Sequence, residues 1–137
     1  MKKITKVLKN MMLVATLGLL LNSCEKDKHI PPTVSLKTTA GYTGADASVG
    51  KSVTVKVGII ADKVEDDMVS YNVSYAYDGA TTTTTLQTFT LAGAELEHYD
   101  KDVTFVTRSV AGTEKWIFTI TDKDGNIAQK QIILTVL

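Results

Sequence analysis

From Thr33 onward apolar and polar residues alternate with a period of two, the spacing that sends successive side chains to opposite faces of a β-strand. Within Ser52 to Ala61, Val53, Val55, Val57 and Ile59 share one face and Ser52, Thr54, Lys56 and Gly58 the other. Val69, Tyr71, Val73, Tyr75 and Tyr77 repeat the pattern against Ser70, Asn72 and Ser74. Further strands are predicted over Thr33 to Thr38, Thr81 to Leu91, Asp102 to Val110, Glu114 to Thr121 and Ala128 to Val136, with Trp116, Phe118 and Ile120 facing inward. The run Thr81 to Thr85 favours extended backbone, because branching at Cβ restricts χ1. Turn residues separate these segments, notably Asp78-Gly79 and Asp122-Lys123-Asp124-Gly125-Asn126. Seven strands with short connections predict one all-β domain over residues 33–137, an antiparallel β-sandwich of two packed sheets. A barrel of the same strands is the alternative.

The first 24 residues follow another pattern. Lys2, Lys3, Lys6 and Lys9 make a basic start, and Met11 to Leu21 is an eleven-residue apolar run. A membrane-spanning helix needs about 20 apolar residues, so this run is too short to be a permanent span. A basic region followed by an apolar stretch of this size is the pattern of a secretory leader. Leu21-Asn22-Ser23-Cys24 follows directly and resembles the lipobox of bacterial lipoproteins, with Leu21 three residues before the cysteine and the small Ser23 just before it. The resemblance implies that the leader, residues 1–23, is removed and that Cys24 carries the lipid. Two or more acyl chains would then hold the protein stably on a membrane, where one would not. Residues 24–32 become a lipidated tether, of which 25–32, ending in Pro31-Pro32, reach about 25 Å when extended. Lys26-Asp27 partly resembles the surface-export signal of Bacteroidetes lipoproteins, although Lys28 stands where a second acid is expected. The resemblance implies an outer-membrane location, with the cell surface favoured over the periplasmic face.

Charge supports this division. The chain carries 15 Lys and Arg against 15 Asp and Glu, and no acidic residue precedes Glu25. Without residues 1–23 the remainder has 11 cations against 15 anions, a net charge of −4. A general nucleic-acid binder needs a basic surface, so that class is excluded. The single cysteine excludes an internal disulfide framework.

The segment Ala111-Gly112-Thr113-Glu114-Lys115-Trp116-Ile117-Phe118-Thr119-Ile120-Thr121-Asp122, continued through Gly125-Asn126 to Ile132-Ile133-Leu134-Thr135-Val136, resembles the last two strands of PKD-type and bacterial Ig-like domains. The resemblance implies an Ig-like sandwich and says little about function. Tyr75-Ala76-Tyr77-Asp78-Gly79 replaces the Trp-Asp-Phe-Gly-Asp-Gly-like segment usual in PKD domains, and the antibody-type Cys, Trp, Cys core is missing.

Candidate chemistry is sparse. Asp62, Glu65, Asp66 and Asp67 fall between the second and third predicted strands, and Asp122, Asp124 and Asn126 in the last hairpin. An Ig-like topology brings those loops to one end, where their oxygens could serve calcium, which takes about six to eight such ligands. The same residues are what tight turns require. No other cofactor is expected. His98 has Glu95, Glu97 and Asp100 nearby in sequence, and His29 lies in the tether, but no nucleophile motif accompanies either. Both are expected at the surface. Arg108, the only arginine, is expected to face solvent at a strand end. Tyr71, Tyr75 and Tyr77 form a stripe that is core if it faces inward and a glycan- or protein-binding platform if it faces out. The expected function is therefore a lipid-anchored, non-enzymatic binding or accessory module of the cell envelope, with a glycan or protein partner. The alternatives are a structural or assembly subunit that pairs through an edge strand and, behind it, a calcium-stabilised adhesion domain.

Overall fold

A computed structural model describes residues 29–137. The leader, Leu21, Ser23, Cys24 and the tether as far as residue 28 lie outside the described residues. Eight strands are present: β1 (Thr33–Leu36), β2 (Ala47–Val49), β3 (Thr54–Asp62), β4 (Met68–Tyr77), β5 (Thr84–Thr90), β6 (His98–Val106), β7 (Gly112–Asp122) and β8 (Ile127–Val136). One turn of 3-10 helix, Gly93–Leu96, precedes β6. The strands form a three-stranded sheet, β1-β3-β6, and a five-stranded sheet, β2-β8-β7-β4-β5. Every pairing is antiparallel except β2 on β8. Both sheets are open, so the structure is a sandwich and the barrel alternative fails.

The eighth strand is the one the sequence pattern lacked. β2 is only three residues long, and its parallel register with β8 is reinforced where Asp46 Oδ1 accepts the Ile133 N–H at 2.7 Å. β6 opens at His98, four residues before the predicted start, because its pairing with β3 continues to His98↔Asp62.

The core lies between the sheets. Val57, Ile59 and Ala61 of β3 meet Tyr71, Val73, Phe118, Ile120, Ile132 and Leu134 from the other sheet, all fully buried. Each large side chain buried in this way contributes about 1.5–3 kcal/mol. Trp116 of β7 stacks on Phe105 of β6 with ring centroids 3.5 Å apart, joining the sheets. A register shift between Met68 and Ser70 sets Val69 aside, so Met68, not Val69, fills the core at the start of β4.

The strands run between two poles. The start of β1, the connection 63–67, the segment 91–97 and the β7–β8 hairpin lie at the end from which the chain enters, the tether pole. The connections 50–53, 78–83 and 107–111 lie at the far pole, about 30 Å away along β3.

Candidate functional site

The two acidic connections do meet at the tether pole, but lysines and backbone donors engage them. Lys123 Nζ lies 2.8 Å from Asp66 Oδ1, and the Lys123 N–H donates to the Asp67 carbonyl at 2.9 Å. Lys63 Nζ is 2.7 Å from Asp67 Oδ1. Buried Asp122 folds back on its own hairpin, accepting from the backbone N–H groups of Asp124 and Asn126 at 3.0 and 2.8 Å and from Asn126 Nδ2 at 2.9 Å. Glu65 accepts the Ile30 N–H at 3.4 Å. The hydrogen bond from Lys123 holds the Asp66 carboxyl below its ordinary value, while desolvation and the charge of Asp66 push Asp124 up. Among the described residues no group of three or more His, Cys, Asp or Glu is placed to hold a metal ion.

His98 is exposed, as expected, but it opens β6, and its Nδ1 lies 2.6 Å from Asp62 Oδ1 on the rim. The acids near it in sequence are drawn apart. Glu95 accepts the Ala92 N–H at 3.2 Å, Glu97 faces Lys63 at 3.9 Å, and Asp100 pairs with Lys37 at 2.5 Å. His29 is exposed beside the start of β1.

The tyrosine stripe faces inward, so the exposed platform does not form. Its register sets Tyr71, Tyr75 and Tyr77 opposite Ile120, Trp116 and Glu114 of β7. Tyr71 is fully buried between Phe89 and Tyr99, its hydroxyl has no hydrogen-bond partner among the described residues, and burial pushes its phenol up. Tyr75 is half-buried against Trp116, and only Tyr77 reaches the surface, at the far pole.

Arg108 does not face solvent, contrary to expectation. Its side chain is 12% exposed and grips Asp78 with two hydrogen bonds, Nη1 to Oδ2 at 2.6 Å and Nη2 to Oδ1 at 2.5 Å. The guanidinium also donates to the Ala111 carbonyl at 3.2 Å and lies 5.1 Å from the Tyr77 ring. Arg108, assisted by the Thr113 N–H, holds the Asp78 carboxyl down at about 2. Asp78 and Gly79 both take positive φ, 51° and 78°, as the central residues of a β-turn closed by the Ala80 N–H on the Tyr77 carbonyl at 2.9 Å. Below this clasp, Glu114 is fully buried. Its Oε1 accepts the Arg108 N–H at 2.7 Å and its Oε2 accepts Trp116 Nε1 at 2.8 Å.

The far pole also gathers exposed apolar side chains. Thr107 N–H donates to the Val53 carbonyl and Ser52 N–H to that of Arg108, which knits the connections 50–53 and 107–111 together. Val53, grouped by alternation with the buried Val55, Val57 and Ile59, is 38% exposed there, and Val106 and Val110 are 59% and 58% exposed.

A charged cluster that the sequence reading missed covers the outer face of the three-stranded sheet. Asp102 takes Lys37 Nζ at 3.0 Å, Lys56 Nζ at 2.8 Å and the Tyr42 hydroxyl at 2.8 Å, and these three hydrogen bonds, from Lys56, Lys37 and Tyr42, hold its carboxyl well below the usual range. The signal lay in Gly58, since a Cβ there would come within 2.8 Å of the Tyr42 ring and 2.9 Å of Asp102.

No family model matches the chain, and no curated protein matches it. Solved structures do. A chitin binding domain from Burkholderia pseudomallei superposes with a TM-score of 0.51 at 10% identity, covering 69% of this chain, which spans 58% of that chain's length. Murine CRIg gives 0.41 at 15% identity over 77% of this chain and 98% of that one. A non-cellulosomal cohesin from Archaeoglobus fulgidus gives 0.36 at 11% identity over 79% and 92%. At these identities the likeness concerns fold alone: with its two packed sheets, the chain is an Ig-like β-sandwich.

Proposed function

We propose that the chain is a lipid-anchored, non-catalytic binding module of the bacterial cell envelope, held to the outer membrane through Cys24 and displayed on the cell surface. The observation that carries this reading is the polarity of the sandwich. β1 enters at the acidic, lysine-paired pole, so a tether of about 25 Å holds that pole toward the lipid and turns the far pole away from it. The outward pole carries Val53, Val106, Val110 and Tyr77 around the Arg108–Asp78 clasp. Three of those four side chains are valines, which lack the rings that stack on sugars, so the surface suits a protein partner better than a glycan. The tether-pole groups that could do acid–base work, His98 with Asp62, are tied into an exposed pair.

Site-specific photo-crosslinking in cells tests this. A probe at Val110 is expected to capture a discrete partner that Val106→Asp abolishes, and a probe at Glu65 is not. Capture from Glu65 alone would overturn the assignment of the poles.

A further inference from the structure

Four strands form the sheet edges, and three of them are protected. β1 is four residues long and follows Pro31-Pro32, β2 has three residues, and β6 carries His98, Asp100, Lys101 and Asp102. Short length, proline and charge all discourage further pairing. β5 is different. It has seven residues, six of them exposed, and the stretch from Gly79 to Ala94 contains no charge and no proline.

Its outer main chain is free among the described residues. The Leu91 N–H donates to the Val69 carbonyl, and Thr90 lies opposite Ser70, so by antiparallel alternation Phe89 and Leu91 bond inward to β4 while Thr88 and Thr90 point their N–H groups outward. A register shift at Leu86 limits the regular part of this edge to Gln87 through Thr90. Beside that part lies a groove of about 230 Å³ on the open flank of the sandwich, lined by Gln87 and Phe89 of β5 and by Lys101 to Thr104 of β6. Lys101 Nζ sits 4.7 Å over the Phe89 ring at its floor.

We infer that β5 is a docking edge for an extended, uncharged segment of a partner protein, which adds as a strand antiparallel to β5 and turns hydroxyl-bearing side chains into the groove. Main-chain hydrogen bonds supply affinity in such strand addition and side-chain pockets supply selectivity. The groove lining is mostly polar, and its one cation, Lys101, is already seated on the Phe89 ring, so a neutral Thr or Ser meets polar partners such as Gln87 there without bringing a charge of its own. A second copy of this chain fits less well. Two β5 strands paired antiparallel invert the poles, so one copy's tether would start about 30 Å from the membrane with only about 25 Å of reach. That exclusion alone rests on the anchoring proposed above.

The test is hydrogen exchange of the full chain in detergent, with an alternating Thr-Val peptide, capped at both ends and long enough to cover β5, as the probe. Saturable slowing at Thr88 and Thr90 is expected, with no change on β1 or β2. Thr88→Pro, which removes an outward N–H, should abolish it. Leu86→Lys, at a side chain already 44% exposed, should weaken it while leaving the fold intact, so that a folding defect in the proline variant cannot decide the result. No slowing at saturating peptide overturns the inference. Slowing that appears with protein concentration and without peptide overturns the choice of occupant in favour of a second copy, and leaves the pole assignment to the crosslinking experiment.

Discussion

Replacing Glu114 by alanine removes the acceptor for two donors in the interior at once, the Arg108 N–H and Trp116 Nε1. Hydrogen bonds to a charged group contribute about 1.5–3 kcal/mol each, so the gross loss is about 3–6 kcal/mol. Alanine has no carboxylate to desolvate on folding, which offsets part of that. We expect a net cost of about 3 kcal/mol for Glu114→Ala and about half as much for Glu114→Gln, whose single carbonyl can still meet one donor. Against a total of about 5–15 kcal/mol, the alanine variant should lose a large share of its stability. Its Tm should fall by about 12 °C, at about 4 °C per kcal/mol for a domain of about 100 residues. Urea unfolding followed by far-UV circular dichroism and by the fluorescence of Trp116, the only tryptophan, measures this directly. A cost below about 0.5 kcal/mol for Glu114→Ala would refute the two-donor clasp.

Gly112 takes φ +144°, and a Cβ there would run into the Arg108 guanidinium, so Gly112→Ala should cost about 2 kcal/mol in chemical denaturation. Asp78 has its carboxyl depressed from 3.8 to about 2, so the stability it adds is complete above the unfolded value and disappears as pH falls through the folded one. The Tm advantage of the native chain over Asp78→Asn should therefore be constant near neutrality and close between pH 4 and 2; a gap that persists at pH 2 would contradict the depressed value. Calcium should leave Tm unchanged, because Asp66, Asp67 and Asp122 already have partners, and a rise on titration would show that the metal displaces the lysines.

Alternation made most of the sandwich legible, because β3, β4, β6, β7 and β8 each bury one face and a period of two then fixes both the strand and its inward residues. It carried more than was taken from it. The spacing that turns Trp116, Phe118 and Ile120 inward also turns Glu114 and Asp122 inward, and both are buried. Polarity argued against placing them there, and their partners, a loop N–H and a hairpin, are created only by the fold. β2 escaped for the opposite reason, since three residues show no periodicity and their strand conformation comes from pairing with β8. The start of β6 was hidden by its charges, which belong to an exposed edge with Tyr99 as its first buried side chain. Nothing local relates Arg108 to Asp78, 30 residues away, because their meeting depends on β4 and β7 being neighbours. The acidic loops were placed correctly at one pole, but the lysines between those acids, Lys63 and Lys123, decide what the loops do there.

Anchoring at Cys24 fixes which pole faces outward, and both the outward surface and the exclusion of a second copy at β5 rest on it. Intact mass of the protein extracted from membranes tests it most directly. The expected species begins at Cys24, is heavier than residues 24–137 by a diacylglycerol and usually a further acyl chain, and vanishes from the membrane fraction in Cys24→Ser. A membrane-free product of unmodified mass, or a mature chain that starts elsewhere, would contradict it.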